Sequence, residues 1–322
     1  MKSVLIWIAL GGLGLVRAAA PQERMKVILD TDIGTDIDDA WALAFVIQHA
    51  GFEPLGVTIC DADTPARARI ACKLLYLANR SDVPVAVGRQ TPTPDARIDH
   101  QFAWAEDFTA VRPVRASAAD FIVDQVKRYP GQVTLIAVGP LQNMADALRK
   151  EPRLGEYCKR VVLMSGCIYG TAAEPSKPMP EWNVVASTAD AQLAYSAGLP
   201  LTIVPLDATT HVQLEELERD RVRNHGSPLT NALEALYRLW LSSPSSRMTL
   251  HDQLAVAEAA RPGMFFGKKQ ELRLRVDDQG YTRIDPQRGK PVTVCFEPKR
   301  DAFMEYYIGQ LTGPPPSRPK AR

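Results

Sequence analysis

The chain has 322 residues, 46% of them hydrophobic, and its 38 Lys and Arg against 37 Asp and Glu leave a formal charge of +1. That length and apolar content suffice to bury one large core, and the balanced charge excludes the basic face that nucleic-acid binding requires. The short basic groups Arg67 and Arg69, Lys159 and Arg160, and Lys268 and Lys269 have no interleaved aromatics and read as solvated surface.

Residues 1–20 combine Lys2, an apolar stretch from Val4 to Val16 and small residues at Ala18, Ala19 and Ala20, the layout of a secretory signal peptide. Cleavage is expected after Ala18, which makes the protein exported, periplasmic or secreted; an uncleaved anchor is the alternative. No later segment is long enough to span a bilayer, so no membrane contact is expected after cleavage. Five cysteines form an odd set without CxxC spacing and indicate no disulfide framework.

An apolar β-type run at 26–29 ends in Asp30-Thr31-Asp32-Ile33-Gly34-Thr35-Asp36-Ile37-Asp38-Asp39, followed by a largely buried helix at 40–47. Five carboxylates within ten residues repel one another, and a helix N-terminus offsets this with only about half a positive charge. A hard cation resolves the conflict, and the crowding of oxygens suits the flexible shell of calcium better than the octahedron of magnesium. The order of acids is not that of an EF-hand. The simpler alternative is that Asp36 or Asp38 caps the helix. A phosphatase of the haloacid dehalogenase type needs Asp-x-Asp-Gly-Thr, and Ile33 displaces Gly34 from that pattern.

Further apolar runs at 55–60, 83–87, 133–138, 161–164 and 201–205 alternate with helical stretches, which implies right-handed βαβ units. Two long irregular segments, 88–113 and 165–182, interrupt them and are expected to be functional. Short strands at 271–276, 281–284 and 291–296 and a last helix at 300–311 follow. The expected fold is α/β: a single domain at 21–312 with a mostly parallel, Rossmann-like open sheet flanked by helices, a small antiparallel appendage near the C-terminus, and a disordered tail at 313–322.

Four further places follow strands. Val138-Gly139-Pro140-Leu141-Gln142-Asn143 leaves a strand through Gly-Pro, so that the Val138 carbonyl is a candidate backbone ligand. Glu181-Trp182-Asn183 offers a carboxylate and an amide around a ring, a combination that suits a polyol, with Trp182 packing on a sugar face. Asp207 and Thr210 suit either a site or a helix cap. His251-Asp252 opens an alanine-rich helix at 254–260. Tyr237 and Trp240 share one helical face that overhangs the site or packs in the core.

In order and interval, the acidic turn, the Val-Gly-Pro-Leu-x-Asn turn, the Glu-Trp-Asn triplet and the His-Asp helix start resemble the inosine-uridine-preferring nucleoside hydrolase family over residues 25–312. The resemblance implies hydrolysis of the N-glycosidic bond of a purine or pyrimidine ribonucleoside to ribose and free base, through an oxocarbenium-like transition state. It further implies a calcium ion held by Asp32, Asp39, the Val138 carbonyl and Asp252, with Asp32 also accepting a proton from the attacking water. Asp38, Glu181 and Asn183 correspond to ribose-binding residues, Asp63 falls where the family usually has Asn, and His251 matches a histidine that protonates the departing base. A homodimer or homotetramer is implied as well.

The chain departs from the family in a turn two residues longer, in which Asp36 can take the role of Asp38 or Asp39. It also has Pro175-Ser176-Lys177-Pro178 where the family carries an Asn for the 5′ end of the ribose, and His100-Gln101-Phe102 in place of His-Gly. These changes leave open an alternative: calcium-dependent binding, or divergent hydrolysis, of a modified ribosyl ligand.

Overall fold

The computed structural model describes residues 23–92, 100–241 and 246–316, so the expected leader and the end of the tail lie outside the described residues. In chain order the elements are β1 (Met25–Thr31), α1 (Asp38–Gln48), β2 (Phe52–Ile59), α2 (Thr64–Leu77), β3 (Val85–Val87), a 3-10 turn at Phe102–Ala105, α3 (Ala118–Arg128), β4 (Val133–Ala137), α4 (Gln142–Lys150) and α5 (Leu154–Tyr157). They continue with β5 (Cys158–Met164), α6 (Trp182–Val185), α7 (Thr188–Ser196), β6 (Leu201–Val204), α8 (Leu206–Thr209), α9 (Glu216–His225), α10 (Pro228–Trp240), α11 (His251–Ala260), β7 (Phe266–Val276), β8 (Thr282–Ile284), β9 (Lys290–Pro298) and α12 (Arg300–Leu311).

The strands form one sheet in the order β3-β2-β1-β4-β5-β6-β9-β7-β8. From β1 the chain builds outward through β2 to β3, then returns to place β4 on the other side of β1, with both neighbours parallel to it. The strand order therefore reverses between β1 and β4, and open α/β sheets bind ligands beyond the carboxyl ends of strands at such a point. The acidic turn leaves β1 there, and Val138-Gly139 leaves β4 beside it.

Both faces of the sheet are covered, which is why the parallel strands read as unbroken apolar runs. Val27 and Leu29 of β1 face a core built with α1, α2, α10, α11 and α12, while Ile28 faces a second core with α3, α4 and α7. Helix α1 is buried along its whole length. Among the described residues no helix is long and apolar enough to cross a membrane, and all five cysteines are buried and unpaired.

The antiparallel C-terminal strands are continuous with the main sheet, because β9 lies parallel to β6 through Thr202↔Thr293 and Ile203↔Val294. Strand β7 begins at Phe266 and is longer than the apolar pattern indicates. Its polar start, Gly267-Lys268-Lys269-Gln270, is held by ladder hydrogen bonds to β9 and not by burial. Helix α12 spans the expected residues.

His49, just beyond α1, hydrogen bonds the Tyr306 hydroxyl at 2.5 Å. Burial, aided by the charge of Arg261, pushes its imidazole from 6.5 down to about 4. As pH falls through this window the unfolded chain takes up a proton that the folded chain refuses, so the contribution of neutral His49 is full above the unfolded value and is lost on acidification. Urea unfolding at several pH values will show wild type losing about 1 kcal/mol per pH unit relative to His49→Gln below neutrality; parallel curves would show that folded His49 takes up its proton as readily as in the unfolded chain.

Candidate active site

The turn between β1 and α1 supplies most of the charge. Asp38 and Asp39 are the first residues of α1 and are buried; Ile37 occupies the N-cap position and makes no side-chain cap. The Asp36 carboxylate instead accepts the N–H of Ile37 at 2.7 Å. Neither acid is therefore a helix cap. The Thr31 hydroxyl donates to Asp39. Helix α11 arrives from the far end of the chain, where the N–H of Asp252 donates to Asp38 at 3.3 Å and the Gln253 amide donates to the Asp38 carbonyl at 2.8 Å.

These contacts gather Asp38, Asp39 and Asp252, all buried, with one carboxylate oxygen from each lying within 4.8 Å of the others. Burial first, and then the neighbouring carboxylates, raise all three well above the ordinary aspartate range. Asp32 is pushed up to about 6 by burial, against the opposing pull of Arg67. Three or four buried acids cannot all ionise without a counter-charge, and an oxygen-only donor set suits a hard divalent cation.

On the opposite wall, Glu181 caps α6 by accepting the Asn183 N–H at 2.8 Å and also takes the Gly166 N–H at 2.9 Å. Burial nevertheless lifts its carboxyl to about 7. The Asn183 amide nitrogen donates to the carbonyls of Val138 at 2.7 Å and Met164 at 3.1 Å, tying the triplet to the ends of β4 and β5. His251 shares a 2.7 Å hydrogen bond between Nδ1 and the Thr209 hydroxyl, and burial lowers its imidazole to about 4.

All of these groups line one cavity of about 640 Å³, which takes in Asp32, Asp36, Asp38, Asp39, Val138, Glu181, Trp182, Asn183, His251 and Asp252. No lysine or arginine is among the described residues lining it. Gly139 permits this approach, since a Cβ there would fall 2.6 Å from an Asp32 carboxylate oxygen.

Asp63 is the exception among the expected site residues. It is exposed and turned back onto its own helix, where its carboxylate accepts the N–H of Ala66 at 3.0 Å as the N-cap of α2. Asp207 also stands apart from the cavity: it accepts the N–H groups of Ile168 at 2.8 Å and Tyr169 at 2.6 Å and so anchors the loop that leads to Glu181.

Arg67 corrects the surface reading of the basic groups. It is completely buried beneath the acidic turn, where its guanidinium donates to the carbonyls of Asp32, Ile33 at 3.2 Å and Asp61 at 2.9 Å, and pairs with the Asp61 carboxylate at 3.5 Å. Of the other contributors, Trp240 is one of the two aromatics expected to overhang the site or pack in the core and Gln101 lies in the departure from His-Gly, while Met164 carries no motif signal. Gln101 bridges the carbonyls of Thr35 and Asp36 at 3.1 Å each, and Met164, Leu206 and Trp240 complete an apolar part of the wall.

A family model for "Inosine-uridine preferring nucleoside hydrolase" matches residues 27–305. The chain is 29% identical to uridine nucleosidase 1 of Arabidopsis thaliana over 90% of its length and 94% of that protein. It is 28% identical to the pyrimidine-specific ribonucleoside hydrolase RihA of Shewanella oneidensis over 90% of its length and 97% of the relative. Among solved structures, a purine-preferring ribonucleoside hydrolase from Gardnerella vaginalis superposes with a TM-score of 0.78 at 23% identity, covering 89% of this chain and 98% of that one. A plant nucleoside hydrolase gives a TM-score of 0.79 at 22% identity, covering 90% and 99%.

The protein is thus an N-glycosyl hydrolase. Specifically, the chain belongs to the inosine-uridine preferring nucleoside hydrolase family.

Replacing Arg67 with Met leaves three backbone carbonyls without their donor and the buried acids without their counter-charge. Urea unfolding in excess chelator is expected to show a loss of about 3–5 kcal/mol; a loss below about 1 kcal/mol would mean that the acidic turn holds itself together without this cation.

Proposed function

We propose that this nucleoside hydrolase is calcium-dependent and cleaves purine or pyrimidine ribonucleosides to ribose and free base. The observation that carries this reading is the convergence of Asp38, Asp39 and Asp252 within one buried, oxygen-only cluster, in a cavity with no lysine or arginine among the described residues that line it. The family resemblance assigns calcium to Asp32, Asp39, Asp252 and the Val138 carbonyl; two of these belong to the cluster, Asp32 is the neighbour whose charge bears on both, and Asp38, the third member of the cluster, is assigned to the ribose. When bound, the ion neutralises the cluster, orients vicinal sugar hydroxyls and acidifies a water.

The remaining steps belong to side chains. Asp32 accepts the proton of the water that attacks the anomeric carbon, a task suited to a carboxylate held between burial and the charge of Arg67. Asp38 and Glu181 accept hydrogen bonds from ribose hydroxyls. The Asn183 amide nitrogen is already engaged by two carbonyls, which leaves its oxygen for a further hydroxyl.

Positive charge develops on the ribosyl ring as the bond to the base lengthens, and the carboxylates around it stabilise that charge more strongly than the neutral ground state. Trp182, beside the ribose-binding triplet, covers the sugar face. In the tautomer whose Nδ1 accepts from the Thr209 hydroxyl, the neutral His251 imidazole carries its N–H on Nε2 and offers it as a hydrogen bond to the nitrogen of the departing base; outright protonation of that nitrogen requires the imidazolium form. Asp63 is left out of the ribose-binding set because its carboxylate serves α2.

The test is release of free base from a panel of ribonucleosides, followed by chromatography. Chelation with EGTA is expected to abolish release and calcium to restore it, while Asp32→Asn lowers kcat by about 10³-fold. Undiminished turnover after chelation, or in Asp32→Asn, would overturn the assignment.

A further inference from the structure

The one-turn helix α8 holds both walls of the cavity. It follows β6, and the parallel neighbour β5 leads into the 165–182 segment, so the chains leaving the two strands meet beyond the carboxyl edge of the sheet. Leu206, Asp207 and the C-cap residue Thr210 grip that segment. The Leu206 N–H donates to the Gly166 carbonyl at 2.9 Å. The Asp207 carboxylate accepts the N–H groups of Ile168 at 2.8 Å, Tyr169 at 2.6 Å and Gly170 at 3.3 Å, and the Thr210 hydroxyl accepts that of Ala172 at 2.9 Å. Gly166 in turn gives its N–H to Glu181 at 2.9 Å, so this carboxylate rests on the first residues of the gripped segment.

Helical spacing sends the intervening residue the other way. Asp207 and Thr210, three apart, share one face of the turn, whereas Thr209 projects toward α11. Thr209 is fully buried, and its hydroxyl meets Nδ1 of His251 at 2.7 Å. A hydroxyl serves this ring in either protonation state, donating to Nδ1 of the imidazole and accepting from that of the imidazolium. The contact therefore aims Nε2 into the cavity whatever the proton count.

Resting on the nucleoside hydrolase reading above, we propose that α8 places the leaving-group side and the sugar side of the site through separate residues: Thr209 is the positioning residue of His251, and Asp207, acting through the 166–172 segment, is the positioning residue of Glu181. Neither touches the substrate. Thr209 governs the departure of a leaving group that needs a hydrogen-bond donor, and Asp207 governs the grip on the ribose.

The experiment compares Thr209→Val, Thr209→Ser, Asp207→Ala and Asp207→Asn with wild type in the presence of calcium. Two kinds of substrate separate the roles: inosine and uridine, whose bases leave poorly without a donor, and para-nitrophenyl β-ribofuranoside, whose nitrophenolate leaves as a stable anion and needs none. Thr209→Val is expected to lower kcat on both nucleosides about tenfold or more, with nitrophenyl riboside turnover and inhibition by ribose within about twofold of wild type. Thr209→Ser restores nucleoside turnover. Asp207→Ala is expected to raise KM for all three substrates and the inhibition constant of ribose about tenfold. Its ratio of nucleoside to nitrophenyl riboside kcat and its calcium affinity stay unchanged, and Asp207→Asn, which keeps one acceptor oxygen, falls between.

Equal losses on the nucleosides and the nitrophenyl riboside in Thr209→Val would make Thr209 a packing contact and overturn its role, as would Thr209→Ser no better than Thr209→Val. Unchanged KM and ribose inhibition in Asp207→Ala would overturn the role of Asp207. Wild-type protein that releases no base from either nucleoside would sink the hydrolase reading instead. The roles of α8 are then read without turnover, from calorimetric ribose affinity in Asp207→Ala and from the imidazole nitrogen shifts of His251, identified by their loss in His251→Gln. These are expected to show Nε2–H in wild type and Thr209→Ser and mixed tautomers in Thr209→Val; one unchanged tautomer in all three, or unchanged ribose affinity in Asp207→Ala, would overturn the corresponding role.

Discussion

The constraint on which the structure turns is the confinement of negative charge at the point where the strand order reverses. β1 delivers Asp30 and, one residue beyond its end, Asp32; the start of α1 delivers Asp38 and Asp39, and α11 brings Asp252 from more than two hundred residues away. Burying carboxylates costs free energy unless counter-charge or donors meet them. The fold supplies part of this from within: Arg67 lies beneath the turn, the Thr31 hydroxyl is on Asp39, and the Asp252 N–H is on Asp38. The remaining deficit makes a cation site, so the requirement for folding and the requirement for chemistry are met by the same charges.

This arrangement explains why the surroundings are rigid. Gly139 has no room for a Cβ beside Asp32. Asp61 and Ala62 both adopt positive φ, at 65° and 51°, in the turn that lets the Asp61 carbonyl and carboxylate reach Arg67. A non-glycine residue held in the left-handed region costs of order 1 kcal/mol or more and persists where its surroundings over-determine it. Two in succession behind the acidic turn indicate that placing the counter-charge outweighs that strain.

What the sequence reveals follows from where its signals are local. Strands covered on both faces read as apolar runs, and the residues just after them fall beyond the carboxyl edge of the sheet, so the motifs at 30–39 and 138–143 converge without any knowledge of topology, whereas 251–252 opens α11 after helix α10 and is brought there by the contacts of α11 with α1. Signals that depend on partners elsewhere in the chain are not readable in this way. Arg67, two residues before Arg69 in sequence, has the pattern of a solvated pair, and only its place between the acidic turn after β1 and the turn at Asp61 buries it. Asp63 follows a strand as the site residues do, but its carboxylate is captured by a local helix N–H, an outcome that sequence alone does not separate from a ligand-facing acid. The start of β7 is polar and owes its strand conformation to β9, more than twenty residues later.

The same distinction separates the two halves of the cavity. Its acidic floor is built from residues at strand ends and helix starts, fixed by backbone contacts and by packing on both sides of the sheet. The apolar wall comes from Met164, Leu206 and Trp240, and the neighbouring segment around Gln101 meets the floor through the backbone carbonyls of the lengthened turn. Gly34, at φ 114°, gives that turn its path, and Phe102 packs so closely over it that an added Cβ would come within 2.7 Å of the ring. The carboxylates of the floor are tied to one another, to Arg67 and to two helix starts, so a substitution there disturbs charge and fold together.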